Sequence, residues 1–293
     1  MNVKITSPLR YPGAKSNLIG YISSLVRREF PDGNCTIIEP YAGSAIISLS
    51  LVFNEVVSKA IIVERDPLIY AFWQAVFSIP DVLISNIKNV DVSIDTWHSF
   101  QKYRKATNAN DFSLIEMAIA GLFFNRTNFS GILKANPLGG LQQNSEYKID
   151  CRFNKTKIIK KIELIATLQD KVEVYYGDAL NFMITHQFEY RANPCFLYID
   201  PPYYLKGKSL YRYWYELEDH KQLSNFLLNL NNTVKWLVSY DNHSEIESLY
   251  SKNIKHQVHF DYSVHSRRSE KELLISNLEI PPWEVDIPKR QRA

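Results

Sequence analysis

Short apolar segments followed by helical patterns recur in the first part of the chain. The first segment runs to Ile38, turns at residues 40–43 and continues as a helix-compatible apolar run to Phe53. A second segment ends at Val63, and the pair Asp66-Pro67 then has the residue types that begin helices. Consecutive units of strand and helix are typical of a parallel sheet.

Three similar units follow in the second half of the chain. They are KVEVYYGDALNFM, CFLYIDPPYY and TVKWLVSYDNHSEIESLY, and each is an apolar strand with polar residues at its carboxyl end. The last segments, HQVHFDYSV and KELLISNLEI, predict two strands that pair antiparallel at one edge. The pattern therefore predicts an α/β fold, with a mostly parallel sheet and helices on both faces.

This alternation of strand and helix patterns is absent from residues 80–168. A charged helical stretch, DTWHSFQKYRKATNANDF, precedes an apolar helix within SLIEMAIAGLFFNRTNF, and residues 125–154 are rich in Gly, Asn, Lys and Arg. We expect an inserted, mainly helical domain at 80–168. The main domain would then consist of residues 1–79 and 169–293.

Composition narrows the class of protein. With 293 residues and 45% hydrophobic residues, the chain has enough material for a large α/β core. The net charge of +3 permits a polyanionic partner without demonstrating one. Three widely spaced cysteines, Cys35, Cys151 and Cys195, show no zinc spacing and favour free thiols in a reducing cytosol. No signal-peptide core or membrane-spanning apolar run is evident, so we expect a cytoplasmic protein without membrane or metal partners.

Four acids stand at the carboxyl ends of predicted strands: Glu39, Glu64, Asp178 and Asp200. In an open α/β sheet this edge is where ligands bind. Each acid also has an ordinary interpretation, because Glu64 and Asp178 are suited to helix caps and Asp200 to an Asp-Pro turn. Their convergence on one edge of one sheet favours a binding site.

The segment IIEPYAGSA is suited to close contact with a ligand. Gly43 and its small neighbours Ala42, Ser44 and Ala45 allow a backbone turn to approach a ligand at a helix N-terminus. No Lys-Ser/Thr pair follows the glycine, so the segment is not a P-loop, and its glycine spacing does not match the dinucleotide fingerprint.

The segments PLRYPGAK, EPYAGSA, FFNRTNFSGILK and DPPY, in this order and spacing, resemble the Dam-related (alpha-group) adenine-specific DNA methyltransferases. The resemblance covers nearly the whole chain. It implies a Rossmann-like methyltransferase fold, S-adenosyl-L-methionine as cofactor and double-stranded DNA as substrate, with the inserted region at 80–168 as the domain that recognises the DNA target. The usual second glycine of the first loop is Ala45 here, which adds one methyl group beside the expected cofactor.

The resemblance also implies roles for individual residues in binding the cofactor. Glu39 would lie near the methionine amine, Glu64 would accept from the ribose hydroxyls, and Asp178 would accept from the adenine amine. The remaining residues expected at the cofactor are Tyr11, Lys15, Tyr41, Ala42, Gly43, Ala179 and Asp200.

The DPPY segment would carry the chemistry. Hydrogen bonds from the target amine to the Asp200 carboxylate and the Pro201 carbonyl would localise a lone pair that is otherwise delocalised into the base. Pro201 and Pro202 would stiffen the turn, and Tyr203 would stack on a base flipped out of the duplex. Cys195 begins a buried strand, so a structural thiol is expected there instead of a nucleophile.

For DNA contacts, the loop NRTNFSGILK offers residue types that read base edges and hold phosphates. The residues expected to contact DNA are Arg10, Asn125, Arg126, Asn128, Lys134, Arg267 and Arg268. Alternatives are methylation of a cytosine amine or of adenine in RNA, or a retired enzyme that only binds nucleic acid. A cognate restriction endonuclease is a further expected partner, unless the enzyme is solitary.

Overall fold

A computed structural model describes residues 4–11, 15–230, 234–251, 254–264 and 266–281, with backbone only for 191, 254–264 and 266–271. The strands are β1 (Thr36–Glu39), β2 (Lys59–Glu64), β3 (Val172–Tyr176), β4 (Cys195–Ile199), β5 (Lys235–Asp241), β6 (Ile254–Val264) and β7 (Ser266–Ser276). They form a seven-stranded sheet in the order β3-β2-β1-β4-β5-β7-β6. The first five are parallel, whereas β7 is antiparallel to both β5 and β6. The predicted parallel sheet with an antiparallel edge is confirmed.

Eleven α-helices lie in the described part of the chain. They are α1 (Ile19–Glu29), α2 (Ile46–Phe53), α3 (Pro67–Ser78), α4 (Pro80–Asn89), α5 (Ile94–Phe100), α6 (Leu114–Thr127), α7 (Lys155–Ala166), α8 (Ala179–Ala192), α9 (Gly207–Leu210), α10 (Leu217–Asn229) and α11 (Ser244–Leu249). None of these is alone long and apolar enough to cross a membrane, although α3 and α4 together meet the length and composition required, with a bend of 117° between them.

Both faces of the sheet are covered, as predicted. One hydrophobic cluster joins Ile37 of β1 to side chains of α1, α2 and α3, and the other joins the neighbouring Ile38 to α8, α10 and α11. Every residue of β4 is buried, which explains its continuous apolar sequence CFLYI. Because helices pack on both faces, the strands are held in position, and the acids at their carboxyl ends are held in position with them.

Local signals set the starts of the helices that follow the strands. Asp66 caps α3 by accepting from the Leu68 N–H, and Pro67 occupies the first helical position, as predicted. Ala45 precedes α2 with φ of 49°, a left-handed conformation that favours glycine. The missing second glycine of this loop therefore falls at a position where the backbone itself prefers one.

Residues 80–168 are mainly helical, and α6 confirms the predicted apolar helix. The N-terminus of α6 is a capping box formed by Ser113 and Glu116. The helix packs against α3 so closely that a Cβ on Gly121 would lie 2.4 Å from the Leu68 carbonyl oxygen. Side chains from this region join the hydrophobic cluster that covers one face of the sheet. The division into two domains at residues 80 and 168 stays a prediction.

Candidate functional site

A cleft lies at the carboxyl edge of the parallel strands, and its empty space, counted together with open solvent, is about 860 Å³. All the residues expected at the cofactor line it: Tyr11, Lys15, Glu39, Tyr41, Ala42, Gly43, Glu64, Asp178, Ala179 and Asp200. The strand order reverses between β1 and β4, and open α/β sheets bind ligands at this switch point. Their binding roles stay predictions, but the fold brings these residues together.

Glu39 ends β1 inside the cleft wall. Its side chain is buried, and one carboxylate oxygen accepts from the Ser48 N–H at 2.9 Å. Burial raises the pKa of Glu39 to about 8, and the nearby charge of Asp200 adds to the increase. Within the described residues, no cation lies within 4 Å of its carboxylate. A cationic group entering the cleft would therefore favour the ionised form of this side chain and lower its pKa.

Glu64 ends the neighbouring strand β2 and organises the loop opposite it. Its Oε2 accepts from the Gly43 N–H at 3.1 Å and its Oε1 from the Asp66 N–H at 2.8 Å. Burial raises the pKa of Glu64 to about 7, with a further contribution from the charge of Asp66. The Arg65 N–H is a third backbone donor to this carboxylate, so about one of its roughly four acceptor positions remains for a hydroxyl group.

Asp178 follows β3 and has the helix-cap role that the sequence allowed. Its Oδ1 accepts from the Asn181 N–H at 3.0 Å, and its Oδ2 lies 3.2 Å from Nη1 of Arg65. It also lines the cleft, so a cap and a ligand contact are compatible at this position.

Asp200, after β4, is held by side chains from distant parts of the chain. Lys15 Nζ lies 2.8 Å from its Oδ1 and 3.0 Å from its Oδ2. Ser239, on β5, donates to Oδ1 at 2.8 Å. A carboxylate has about four acceptor positions, so these bonds leave one position open, on Oδ2. The side chain is 22% exposed, and this open position is available to a group in the cleft.

Tyr203 differs from the expectation of a stacking ring. The residue is only 6% exposed and is not among those that line the cleft, whereas Pro202 is. Its hydroxyl accepts from Lys15 and donates to Glu272, both at 2.8 Å. In this arrangement the ring has no free face for a base, so stacking by Tyr203 would require a rearrangement.

An aromatic segment after α9 covers the cleft, a role that the sequence motifs did not predict. Tyr211 stacks on Tyr11 with ring centroids 5.9 Å apart, and Tyr215 hydrogen-bonds Tyr41 at 2.8 Å between hydroxyls. Arg212 binds Asp66 at 3.2 Å and reaches the carbonyls of residues 104 and 106 in the inserted region. The dense aromatic run YRYWY was the available signal.

Two residues predicted to contact DNA point into the protein. Asn125 and Asn128 are fully buried. The Asn125 amide accepts from the N–H of Arg10 and donates to its carbonyl, both at 2.7 Å, and Asn128 accepts from the Trp97 indole at 2.8 Å. The Asn128 amide also donates to carbonyls at residues 132 and 133. The polar atoms of these two side chains hold the loop backbone, and base reading by them stays a prediction that would require a rearrangement.

The cations predicted at the DNA surface have mixed positions. Arg126 is half-buried and donates to the Arg152 carbonyl at 2.8 Å, and burial lowers its pKa to about 10. Lys134 is exposed, and its ammonium donates to the carbonyl of Tyr211 at 2.9 Å. Their contacts with DNA stay predictions.

The other predicted contacts are at the N-terminal segment and at β7. Burial and the charge of Arg152 lower the pKa of Arg10. Arg267 and Arg268 lie on β7, but their side chains are outside the described part of the structure.

The cysteines are free thiols, as expected. Burial raises the pKa of Cys35 and of Cys195 to about 12 in each case. Cys195 opens the buried strand β4, in agreement with a structural thiol.

Comparison with protein families matches residues 11–267 to the model of the D12 class N6 adenine-specific DNA methyltransferases. The chain therefore belongs to this family, and the prediction of an adenine-specific DNA methyltransferase is confirmed. Comparison with curated proteins gives no match.

Solved structures that resemble the chain include two of the rRNA methyltransferase aviRa from Streptomyces viridochromogenes. Their TM-scores are 0.40 and 0.36, at 11% and 13% sequence identity, and each match covers 91% of this chain and 86% of that chain. Likeness at this level carries no argument about substrate or mechanism.

Proposed function

We propose that the enzyme transfers a methyl group from S-adenosyl-L-methionine directly to the exocyclic amine of an adenine flipped out of double-stranded DNA. The observation that carries this proposal is the open acceptor position on Asp200 Oδ2, in a cleft where the other acceptor positions of that carboxylate are occupied. A donor N–H of the target amine is the complementary group. The family membership supports the adenine and the DNA.

The cleft suits the proposed cofactor. Glu39 is buried, and no cation of the described residues lies within 4 Å of it. The positively charged amine of a methionine group would stabilise the ionised form of this side chain, which burial alone disfavours. Glu64 retains acceptor capacity for ribose hydroxyls, and Asp178 lines the cleft beyond it. When bound, S-adenosyl-L-methionine supplies an electrophilic methyl group.

The residues of the chain would act on the amine itself. An adenine amine is a weak nucleophile because its lone pair is delocalised into the ring. Acceptance of its hydrogens by Asp200 and by the carbonyl of Pro201 would localise that lone pair, and a fixed acceptor requires no reorganisation as charge develops. Lys15 and Ser239 hold the Asp200 carboxylate in one orientation. No covalent bond to the enzyme is needed.

Access to the amine requires extrusion of the base, because the target atom lies inside the duplex. The aromatic side chains of Tyr11 and Tyr211 line the cleft and are candidates for contact with an extruded ring.

The direct test is incubation of plasmid DNA, and separately of RNA, with isotope-labelled S-adenosyl-L-methionine, followed by nucleoside analysis. We expect labelled N6-methyladenine in the DNA digest. Label found only on a cytosine amine or only in RNA would overturn the substrate proposal. Binding of DNA with no transfer would instead support a retired enzyme. A cognate restriction endonuclease and a cytoplasmic location remain predictions from the sequence.

A further inference from the structure

A buried glutamate lies beneath the DPPY turn without lining the cleft. Glu272 is on β7, opposite Asp241 of β5 in the antiparallel ladder, and is 2% exposed. It does not line the cleft. A buried carboxylate is costly unless it is paired and hydrogen-bonded, so its contacts indicate what it does.

Its contacts lead directly to Asp200. Tyr203 Oη donates to Glu272 Oε1 at 2.8 Å, and Lys15 Nζ lies 3.6 Å from the same oxygen. Lys15 Nζ also donates to Tyr203 Oη at 2.8 Å and to Asp200. A lysine ammonium has no acceptor, so the direction of donation is fixed: Lys15 donates to Tyr203, and Tyr203 donates to Glu272. This chain of bonds holds Lys15 in place against Asp200.

The charges give the network a second property. One ammonium, on Lys15, lies between two carboxylates, those of Asp200 and Glu272. These side chains are largely shielded from water. Charges act more strongly on one another in such an environment than they do in water. The second carboxylate draws part of the attraction of Lys15 away from Asp200, so Asp200 remains a better hydrogen-bond acceptor than it would be in an isolated pair.

We propose that Glu272 is a positioning residue for methyl transfer. Through Tyr203 and Lys15 it orients the Asp200 carboxylate and maintains its strength as an acceptor for the target amine. This inference rests on the proposed function, because it assigns Asp200 the acceptor role.

Several titratable groups surround Asp200 and its lysine partner. They are Tyr11 and Lys15 before α1, Glu39 on β1, Tyr198 on β4, Tyr211 after α9 and Glu272 on β7. Of the two carboxylates in this set, Glu39 faces the cleft, whereas Glu272 bonds Tyr203 behind it. A change in charge at Glu272 can therefore be made without altering the lining of the cleft.

The test is the substitution Glu272→Gln, which keeps an acceptor for Tyr203 but removes the charge. We expect kcat to fall about tenfold, which corresponds to ~1.4 kcal/mol, with the dissociation constant for S-adenosyl-L-methionine unchanged within about twofold. Glu279→Gln, an exposed glutamate of the same segment, is the matched control and should change neither quantity.

A second variant covers the case in which Glu272→Gln folds poorly. Tyr203→Phe retains the ring but removes the hydroxyl that links Lys15 to Glu272, and it should also lower kcat. Because the two residues act through one chain of bonds, the double variant should lose less than the product of the two single losses.

Two results would overturn the proposal: wild-type kcat in a folded Glu272→Gln, or a fall in kcat accompanied by an equal weakening of S-adenosyl-L-methionine binding. The proposal would also be contradicted if the fall in kcat of the double variant equalled the product of the two single falls. Failure of the proposed function is distinguishable, since the wild-type enzyme would then yield no methyladenine in DNA.

Discussion

Asp200 and Asn125 are both polar residues at the end of a secondary-structure element, but the side chain of Asp200 lines the cleft whereas that of Asn125 is buried. Asp200 follows β4 with its side chain 22% exposed and an acceptor position open toward the cleft. Asn125, in the last turn of α6, is fully buried and binds the backbone at residues 10 and 131. Strands of a sheet satisfy each other's backbone groups, which leaves strand-end side chains free for ligands. The irregular segments at residues 10 and 131 have no such ladder, so a polar side chain from the neighbouring helix, that of Asn125, satisfies their backbone instead.

The substitution expected to have the largest effect tests the cleft side of this comparison. Asp200→Ala should abolish methyl transfer, with a fall in kcat of at least about 100-fold, because it removes a fixed acceptor of the reacting amine. The dissociation constant for S-adenosyl-L-methionine, measured by calorimetry, should change far less, since the bond matters most as the amine becomes pyramidal. Circular dichroism provides the control for folding. Substantial residual turnover would remove Asp200 from its catalytic role.

The free energy of unfolding, measured as a function of pH in the cofactor-free protein, tests the buried carboxylates at the carboxyl edge of the sheet. Burial raises the pKa of Glu39 to about 8 and that of Glu64 to about 7, above the usual 4.5 of a glutamate. At a pH above 4.5 but below these raised pKa values, the folded protein holds protons that the unfolded chain has released. The free energy of unfolding should therefore fall as pH rises from about 5 to about 8, by on the order of 1.4 kcal/mol per unit of pKa shift.

Denaturant unfolding at several pH values in that window measures this effect. Glu39→Gln should flatten the pH dependence, because glutamine does not titrate. Stability that is constant, or that increases with pH across the window, would show that these carboxylates are ionised in the folded protein at pH 5.

Substitution of Asn125 tests the other side of the comparison. Asn125→Ala should lower the free energy of unfolding by about 2–3 kcal/mol, because it leaves the buried polar groups of Arg10 and Gly131 without a partner. Asn136, an exposed asparagine in the loop after α6, supplies the control, and Asn136→Ala should stay within about 0.5 kcal/mol of wild type. If Asn125→Ala kept full stability but relaxed discrimination at one base, the residue would be a base reader after all.

The sheet could be predicted from the sequence because its signals are local. Continuous apolar segments such as CFLYI identify buried strands, and Asp66-Pro67 identifies the start of α3. The same local logic places Glu39, Glu64 and Asp200 at one edge, since parallel strands all end there. Local sequence is therefore sufficient to predict which acids meet at the carboxyl edge of the sheet.

Roles that depend on distant partners could not be predicted. Lys15 and Asp200 are 185 residues apart, and no local sequence pattern predicts that they are in contact. The inward orientation of Asn125 and Asn128 has the same origin, because a polar loop sequence does not tell whether its amides face DNA or backbone. The position of Glu272 is set by the antiparallel β5–β7 register, which the strand pattern alone does not determine.

Two left-handed residues, one in each region, allow the smallest test of the comparison. Ala45 beside the cleft has φ of 49°, and Ser130 in the loop after α6 has φ of 54°. Glycine at either position relieves about 1–2 kcal/mol of backbone strain, partly offset by the greater entropy of an unfolded chain that contains glycine.

The two positions differ in burial, because Ala45 is fully buried and Ser130 is partly exposed. Ala45→Gly also loses a buried methyl group, which contributes about 0.8 kcal/mol. Ser130→Gly should therefore increase the free energy of unfolding more than Ala45→Gly does, by somewhat less than about 1 kcal/mol. Parallel urea titrations of the two variants and the wild type measure the difference. A larger gain at Ala45 would mean that its methyl group is crowded in the turn, and that a glycine there would suit the cofactor edge better than the residue the chain carries.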